Sequence, residues 1–330
     1  MGHTRFAAID ILKCVAALFV VNSHMGNCYG PLSALSTGGA IGDALFFFCS
    51  GFCLANSNFS RFDNWYKRRL VRIYPAVLCW AFISALFWGR NMLDMVLAKD
   101  WWFIHCILCY YVILWFIVRF TNRYLNIIFW GLNTLIIVFY IIHPTVENYQ
   151  EIMYSRSQIN KFPYIFNFLF VLLGVVIARS KSFTNKLRGT PSLIILVLCL
   201  TTFYGILSAT TKSVTISRWQ VLSLIPLAGI VLSFLRLCNT RMALQIYSTR
   251  FIGFIIYFIG ALCLEIYIVQ GLLINPEINH LFPYNIIIIF TAILFAAYIV
   301  RSMSNFLVQT FNKGPYNWLD IFTINKPEYK

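Results

Sequence analysis

Apolar residues in this chain come in long blocks separated by short polar breaks, and ten of the blocks are long enough to matter. They cover residues 6–24, 40–57, 70–88, 101–118, 124–142, 162–178, 192–208, 219–235, 251–274 and 285–300. Crossing a hydrocarbon core by α-helix takes about 20 residues, with a range of about 17–25. The pattern therefore predicts an all-α, polytopic integral membrane protein of about ten transmembrane helices, with residues 1–305 forming the membrane domain and 306–330 a basic, aromatic tail on the cytoplasmic side. No second domain, internal repeat, low-complexity segment or broken helix is apparent.

The interruptions inside the blocks are more informative than the blocks. The first carries Asp10 and Lys13 and ends on His24. Lys13 and His24 are eleven positions apart, which at about 100° per residue returns within about 20° of one azimuth, roughly 16 Å along the axis. Asp10 lies within roughly 60° of Lys13, so the helix has one polar stripe on an otherwise apolar surface. The second block opens on Gly38-Gly39-Ala40-Ile41-Gly42-Asp43, small residues that permit close helix packing, and Asp43 shares a face with Ser50. At the mouth of the third stands Lys67-Arg68-Arg69-Leu70-Val71-Arg72-Ile73-Tyr74-Pro75, with Arg69 and Arg72 on one face at i, i+3. The ninth contains Glu265. A central Asp, Lys or Arg costs roughly 2.5–3.5 kcal/mol, so Asp10, Lys13, Asp43 and Glu265 together cost on the order of 10 kcal/mol unless paired or hydrated. Groups that expensive are functional by default, and ion pairs that only fix packing are the alternative.

Composition agrees with the blocks: of 330 residues 60% are hydrophobic and 11% charged, with a mean hydropathy of +0.74, outside the range of soluble domains. The net charge of +15 raises nucleic acid as a partner, but the cations are sorted by side of the membrane and form no single patch. With the N-terminus inside, nineteen of the 26 Lys and Arg fall in inner segments, six in outer ones, and Lys13 in the membrane. This is the positive-inside distribution for an even number of crossings with both termini cytoplasmic. Residues 22–29 offer no small-residue cleavage pattern, so the first helix is retained. Nine of the ten Cys lie in or at the edges of the blocks and Cys28 in an outer loop, so no disulfide framework and no metal site is indicated.

The remaining features are weaker. Trp101-Trp102-Phe103 has the composition of an interfacial aromatic belt, and His105 follows it. The loop 143–161, with Glu147, Tyr149, Glu151, Tyr154, Arg156 and Gln158, suits sugar hydroxyls and ring faces, or is simply solvated. Helix direction places Lys13, Arg69 and Arg72 toward the cytoplasm, and His24, Asp43 and Glu265 together toward the outside. A His beside a carboxylate acts as general base, and a basic cluster binds phosphates. The roughly 16 Å between them suits an extended thioester-bearing arm.

These residues resemble membrane acyltransferase family 3. The resemblance rests on Ile9-Asp10-Ile11-Leu12-Lys13 with ten residues before His24, on Asp43-Ala44-Leu45-Phe46-Phe47-Phe48-Cys49-Ser50-Gly51-Phe52, on Arg69-Leu70-Val71-Arg72-Ile73-Tyr74-Pro75, and on Trp102-Phe103-Ile104. A late segment, Glu265-Ile266-Tyr267-Ile268, also matches, although Cys263 and Gln270 stand where the family often has Ser and His. The resemblance implies an acyl-CoA-dependent O-acyltransferase of the bacterial inner membrane. Its donor would be acetyl-CoA, with no bound cofactor, and its acceptor a hydroxyl of a surface polysaccharide or lipid-linked precursor. By resemblance Lys13, Arg69 and Arg72 hold the CoA phosphates and His24 is catalytic. Asp43 and Glu265 are candidates to orient it, and Asp10, Ser50 and Tyr267 support the site. A secondary transporter or lipid-glycan flippase is the rival, since it too needs paired charges inside the membrane.

Overall fold

A computed structural model of the chain describes residues 6–55, 57–59, 61–97, 99, 101–143, 153–154, 160–180, 191–312 and 314–326. The described residues form helices and no strand: α1 (Ala7–His24), α2 (Gly39–Leu54), α3 (Phe62–Trp88), α4 (Met92–Val96), α5 (Trp102–Thr121), α6 (Leu125–Ile142), α7 (Pro163–Arg179), α8 (Pro191–Thr210), α9 (Val214–Ser217), α10 (Leu224–Cys238), α11 (Arg241–Ser248), α12 (Phe251–Ala261), α13 (Cys263–Leu273), α14 (Tyr284–Thr310) and α15 (Trp318–Phe322). Most of the 143–161 loop, and the inner-segment cations Arg5, Lys181, Lys186 and Arg188, lie outside the described residues.

Seven helical stretches among the described residues are long and apolar enough to cross a membrane, or eight if α11 and α12, bent by 95°, count as one span. One of the seven, Trp102–Ile142, has 41 residues. At 1.5 Å per residue it is about 60 Å long, twice the hydrocarbon thickness, and a 3-10 turn at Asn122–Tyr124 divides it. The protein is thus an all-helical, multi-pass membrane protein. The sixth block, α7, is a 17-residue helix of the expected length. The ninth, expected to be one unbroken span, is two helices separated at Leu262, whose φ of −90° and ψ of 6° leave the helical basin. Leu262 is apolar and a good helix former, so no pattern of hydrophobicity marks that break. The last block continues to Thr310, past position 305, because the segment after Val300 keeps its helical periodicity.

The chain forms two compact units. The first comprises Met1–Leu12, Asp43–Ser57 and Phe116–Ser248. Its centre is α7, buried at every position from Phe166 to Val175. There α2 and α7 cross at backbone contact: a Cβ on Gly51 would meet the Val171 carbonyl oxygen, and one on Gly174 the Phe48 carbonyl oxygen. Arg179, at the end of α7, donates from Nε (2.9 Å) and Nη2 (2.6 Å) to the carbonyl of Ala55, covering an orphan acceptor at the end of α2. Buried Gln220 accepts from the Met153 amide at 2.7 Å, Asn160 donates to the Met153 carbonyl at 2.9 Å, and Tyr154 pairs with Ser223 at 2.8 Å. These bonds fasten Met153 and Tyr154, the described middle of the long outer loop.

The second unit comprises Lys13–Gly42, Asn58–Trp115 and Thr249–Lys330. Here the glycine-rich start of α2 closes on α1 as its small residues predict, since a Cβ on Gly42 would lie 2.7 Å from Val20 Cγ2 and 3.0 Å from the Ala16 carbonyl. Helices α3 and α5 run antiparallel, with Phe62 against Trp115 (ring centroids 5.3 Å apart), Trp65 against Tyr111 (6.0 Å) and Tyr66 Oη reaching Leu108 O at 3.5 Å. After Gly89, left-handed at φ 60°, α4 folds back along α3, and Tyr74 Oη donates to Val96 O at 2.8 Å.

Candidate active site

The α3–α5 register fixes where α5 begins. Residue pairs whose numbers add to about 176 face each other, so Phe103 falls level with Ile73 and Tyr74, one and two positions after Arg72. Trp101, Trp102 and Phe103 are 7%, 4% and 1% exposed, which corrects their reading as an interfacial belt. A belt residue keeps its polar edge in the headgroups, whereas Trp101 Nε1 donates to Ile268 O at 3.2 Å and Phe103 packs on Tyr267 with centroids 4.9 Å apart. Tyr267, half-buried, is thereby held to the same level.

Two residues before Tyr267, Glu265 is 1% exposed. Its Oε1 accepts from Arg301 Nη1 of α14 at 3.1 Å, and the Arg301 side chain is 32% exposed. The second oxygen, Oε2, is buried with no hydrogen-bond partner among the described residues. Arg301 has five N–H donors, and the bond to Glu265 is the one it makes among the described residues. In the sequence Arg301 follows the last apolar block by one position and is indistinguishable from an inner-segment cation. The signal that would have found it is the continued periodicity beyond Val300.

The depth of this pair follows from helix lengths. At the other end of the unit, Asn285 Nδ2, fully buried at the start of α14, donates to Cys28 O at 2.9 Å, and Asn279 Nδ2 donates to Asn27 O at 2.6 Å. Those contacts place the start of α14 beside the loop that follows His24. Arg301 is sixteen residues further along α14, roughly 24 Å, and Glu265 is about 12 Å from the end of α13. The pair therefore sits about as far from the His24 end as Lys13 does. By helix rise, Glu265 lies deeper than the common level with His24 that the sequence suggests and nearer the depth of Lys13. His24 is the exposed last residue of α1, and Lys13 is half-buried. Arg69 stacks its guanidinium over Trp65 at 5.0 Å, one turn back on α3, and Arg72 is exposed. In the loop after His24, burial pushes the Cys28 thiol above its ordinary range, so that cysteine is an inert packing group.

The first unit holds the other candidates. Asp10 is 7% exposed and accepts from Tyr247 Oη at 3.3 Å, a partner that sequence spacing does not reveal. Asp43 and Ser50 are both half-buried on α2, on the face their spacing predicts.

A multi-pass, all-helical membrane protein with ionisable groups buried among its helices is the class that fold and site define, and it includes both membrane transferases and transporters. Within that class the chain belongs to acyltransferase family 3, whose model, described as an acyltransferase domain, matches residues 6–301. The protein is accordingly a membrane-bound acyltransferase. No match was found among curated proteins or among solved structures.

Proposed function

We propose that this protein transfers acetyl from acetyl-CoA to a hydroxyl of a cell-surface polysaccharide or its lipid-linked precursor, working in a bacterial inner membrane with both termini in the cytoplasm. The observation that carries the reading is the family match over residues 6–301. Lys13, Arg69 and Arg72 hold the phosphates of the donor through charge-assisted hydrogen bonds. The pantetheine arm extends along the roughly 16 Å of α1 between Lys13 and His24. His24 takes the proton of the acceptor hydroxyl, whose oxygen attacks the thioester carbonyl. The C–S bond breaks, and the proton passes from the imidazolium to the departing thiolate. Asp43 remains the carboxylate assigned to orient His24, and Asp10, Ser50 and Tyr267 support the site. The depth of Glu265 supports assigning it to the donor end of the protein.

The test is His24→Ala. Because His24 ends its helix and is exposed, truncation costs little packing, so the variant is expected to insert and purify normally while glycan acetylation disappears. An inserted variant that acetylates glycan at the wild-type rate removes His24 from the mechanism. Neutralising Lys13, Arg69 or Arg72 is expected to weaken acetyl-CoA binding, as is added salt, measured by titration in detergent.

A further inference from the structure

We propose that Arg301, braced by Glu265, is a fourth cationic residue of the site that receives the phosphates of the acyl donor, an inference that rests on the reading above. Three observations of the second unit carry it. The first is depth: Trp101, Phe103, Tyr267 and the Glu265–Arg301 pair lie near the level of Tyr74, two positions after Arg72 on α3. The second is lateral position. Both helices that carry the pair, α13 and α14, pack on α3, the helix that carries Arg69 and Arg72.

The third is the incompleteness of the pair itself. An ion pair whose role is packing lowers its desolvation cost by satisfying the remaining donors and acceptors with protein groups. Here, among the described residues, Glu265 is almost fully buried with one oxygen unpartnered, and Arg301 spends one donor on Glu265 while its side chain stays 32% exposed. Glu265 thus holds one nitrogen of the guanidinium, Nη1, and leaves the other donors of the fork uncommitted to it. A planar fork held at one nitrogen is suited to grip two oxygens of a phosphate or diphosphate with its remaining donors. The carboxylate also offsets part of the repulsion between Arg301 and the other cations of the unit before the donor arrives. The ligand chemistry is therefore a nucleotide bearing a diphosphate and a phosphomonoester, at the end of the arm opposite the thioester.

The experiment compares two ligands on the full-length protein in nanodiscs: CoA, and pantetheine, which has the same arm and no phosphate. The variant is the double substitution Glu265→Gln with Arg301→Gln, which keeps two hydrogen-bonding side chains in contact and strands no charge. CoA affinity is expected to fall about ten- to a hundred-fold, the equivalent of hydrogen bonds to a charged group, while pantetheine affinity stays unchanged. Unchanged CoA affinity, or an equal loss for both ligands, overturns the proposal, the latter because it marks a packing role. Should the double variant not fold, the wild-type protein is modified with phenylglyoxal and the Arg301 peptide is followed by mass spectrometry. Protection by CoA and not by pantetheine supports the proposal, and equal modification with and without CoA overturns it. A wild-type protein that binds no CoA refutes the donor assignment itself, which distinguishes that failure from the failure of Arg301.

Discussion

Glu265 and Arg301 are unequal partners, and the inequality sets the consequence of losing either. Glu265 has almost no exposed surface, whereas about a third of the Arg301 side chain is accessible. Removing Arg301 strands a carboxylate that has no other cation within salt-bridge distance among the described residues. Removing Glu265 leaves an arginine that is already about a third accessible and whose long stem can carry its charge away from the apolar interior. Breaking a buried pair from the buried side costs about 3–5 kcal/mol, so Arg301→Ala is expected to lose about that much and Glu265→Ala clearly less. Unfolding of the purified variants in detergent gives the order, and a larger loss for Glu265→Ala would contradict it. At this scale the sequence was legible wherever a charge interrupts an apolar run, as at Asp10, Lys13, Asp43 and Glu265. It was not legible at Arg301, one position past an apolar run and hence indistinguishable from an ordinary inner-loop cation. The partners Tyr247 and Arg301 are separated from Asp10 and Glu265 by 237 and 36 positions, and no local pattern encodes such pairings. Trp101-Trp102-Phe103 was misread because aromatic clusters at the end of an apolar run occur both at a membrane interface and against a neighbouring helix, and burial decides between them.

Helices are where the sequence spoke most clearly, since apolar blocks of membrane-spanning length leave the backbone no other way to satisfy its hydrogen bonds in lipid. Breaks and crossings within them were less legible. Leu262 interrupts the ninth block with no proline or polar residue to announce it, and its position alters the depth assigned to Glu265. A broken helix is also a transporter feature, so its absence no longer separates the two classes, and family membership decides for the transferase. Close crossings, by contrast, leave a residue signature in glycine, and the glycines of this chain are not equivalent. At Gly51 and Gly174 an added Cβ would strike backbone atoms of the opposing helix, which cannot rotate away as a side chain can. Gly51→Ala and Gly174→Ala are each expected to destabilise the protein by about 1–3 kcal/mol. Gly131 also lies inside a helix, α6, but a Cβ there meets nothing within 4 Å. Gly131→Ala is therefore expected to leave stability unchanged or raise it by about 0.5–1 kcal/mol. Unfolding midpoints in one detergent compare all three, and a loss at Gly131 equal to that at Gly51 would show that helix crossing is not the cause.

For the molecule as a whole, the question that matters is which side each substrate comes from. In the orientation proposed above, with both termini inside by the positive-inside rule, the Lys13 level lies toward the cytoplasm and His24 toward the outside. The depth of Glu265 and Arg301 reinforces this polarity within the second unit, because every arginine at that level then joins Lys13 on the donor side, leaving the His24 end free of competing cations from α13 and α14. A donor that carries phosphates is expected to bind from the cytoplasm and an extracytoplasmic glycan to meet His24 from the other side. The acyl group would change sides while the glycan stays in place. In proteoliposomes of known orientation, labelled acetyl-CoA on the face that holds the termini should acetylate acceptor supplied on the opposite face, with intact CoA recovered on its own side. Acetylation only when both substrates share the cytoplasmic face would refute the placement of His24. Glycan movement across the bilayer without acetylation would identify a flippase activity, and would detach the buried charges of this chain from the acyl transfer assigned to them.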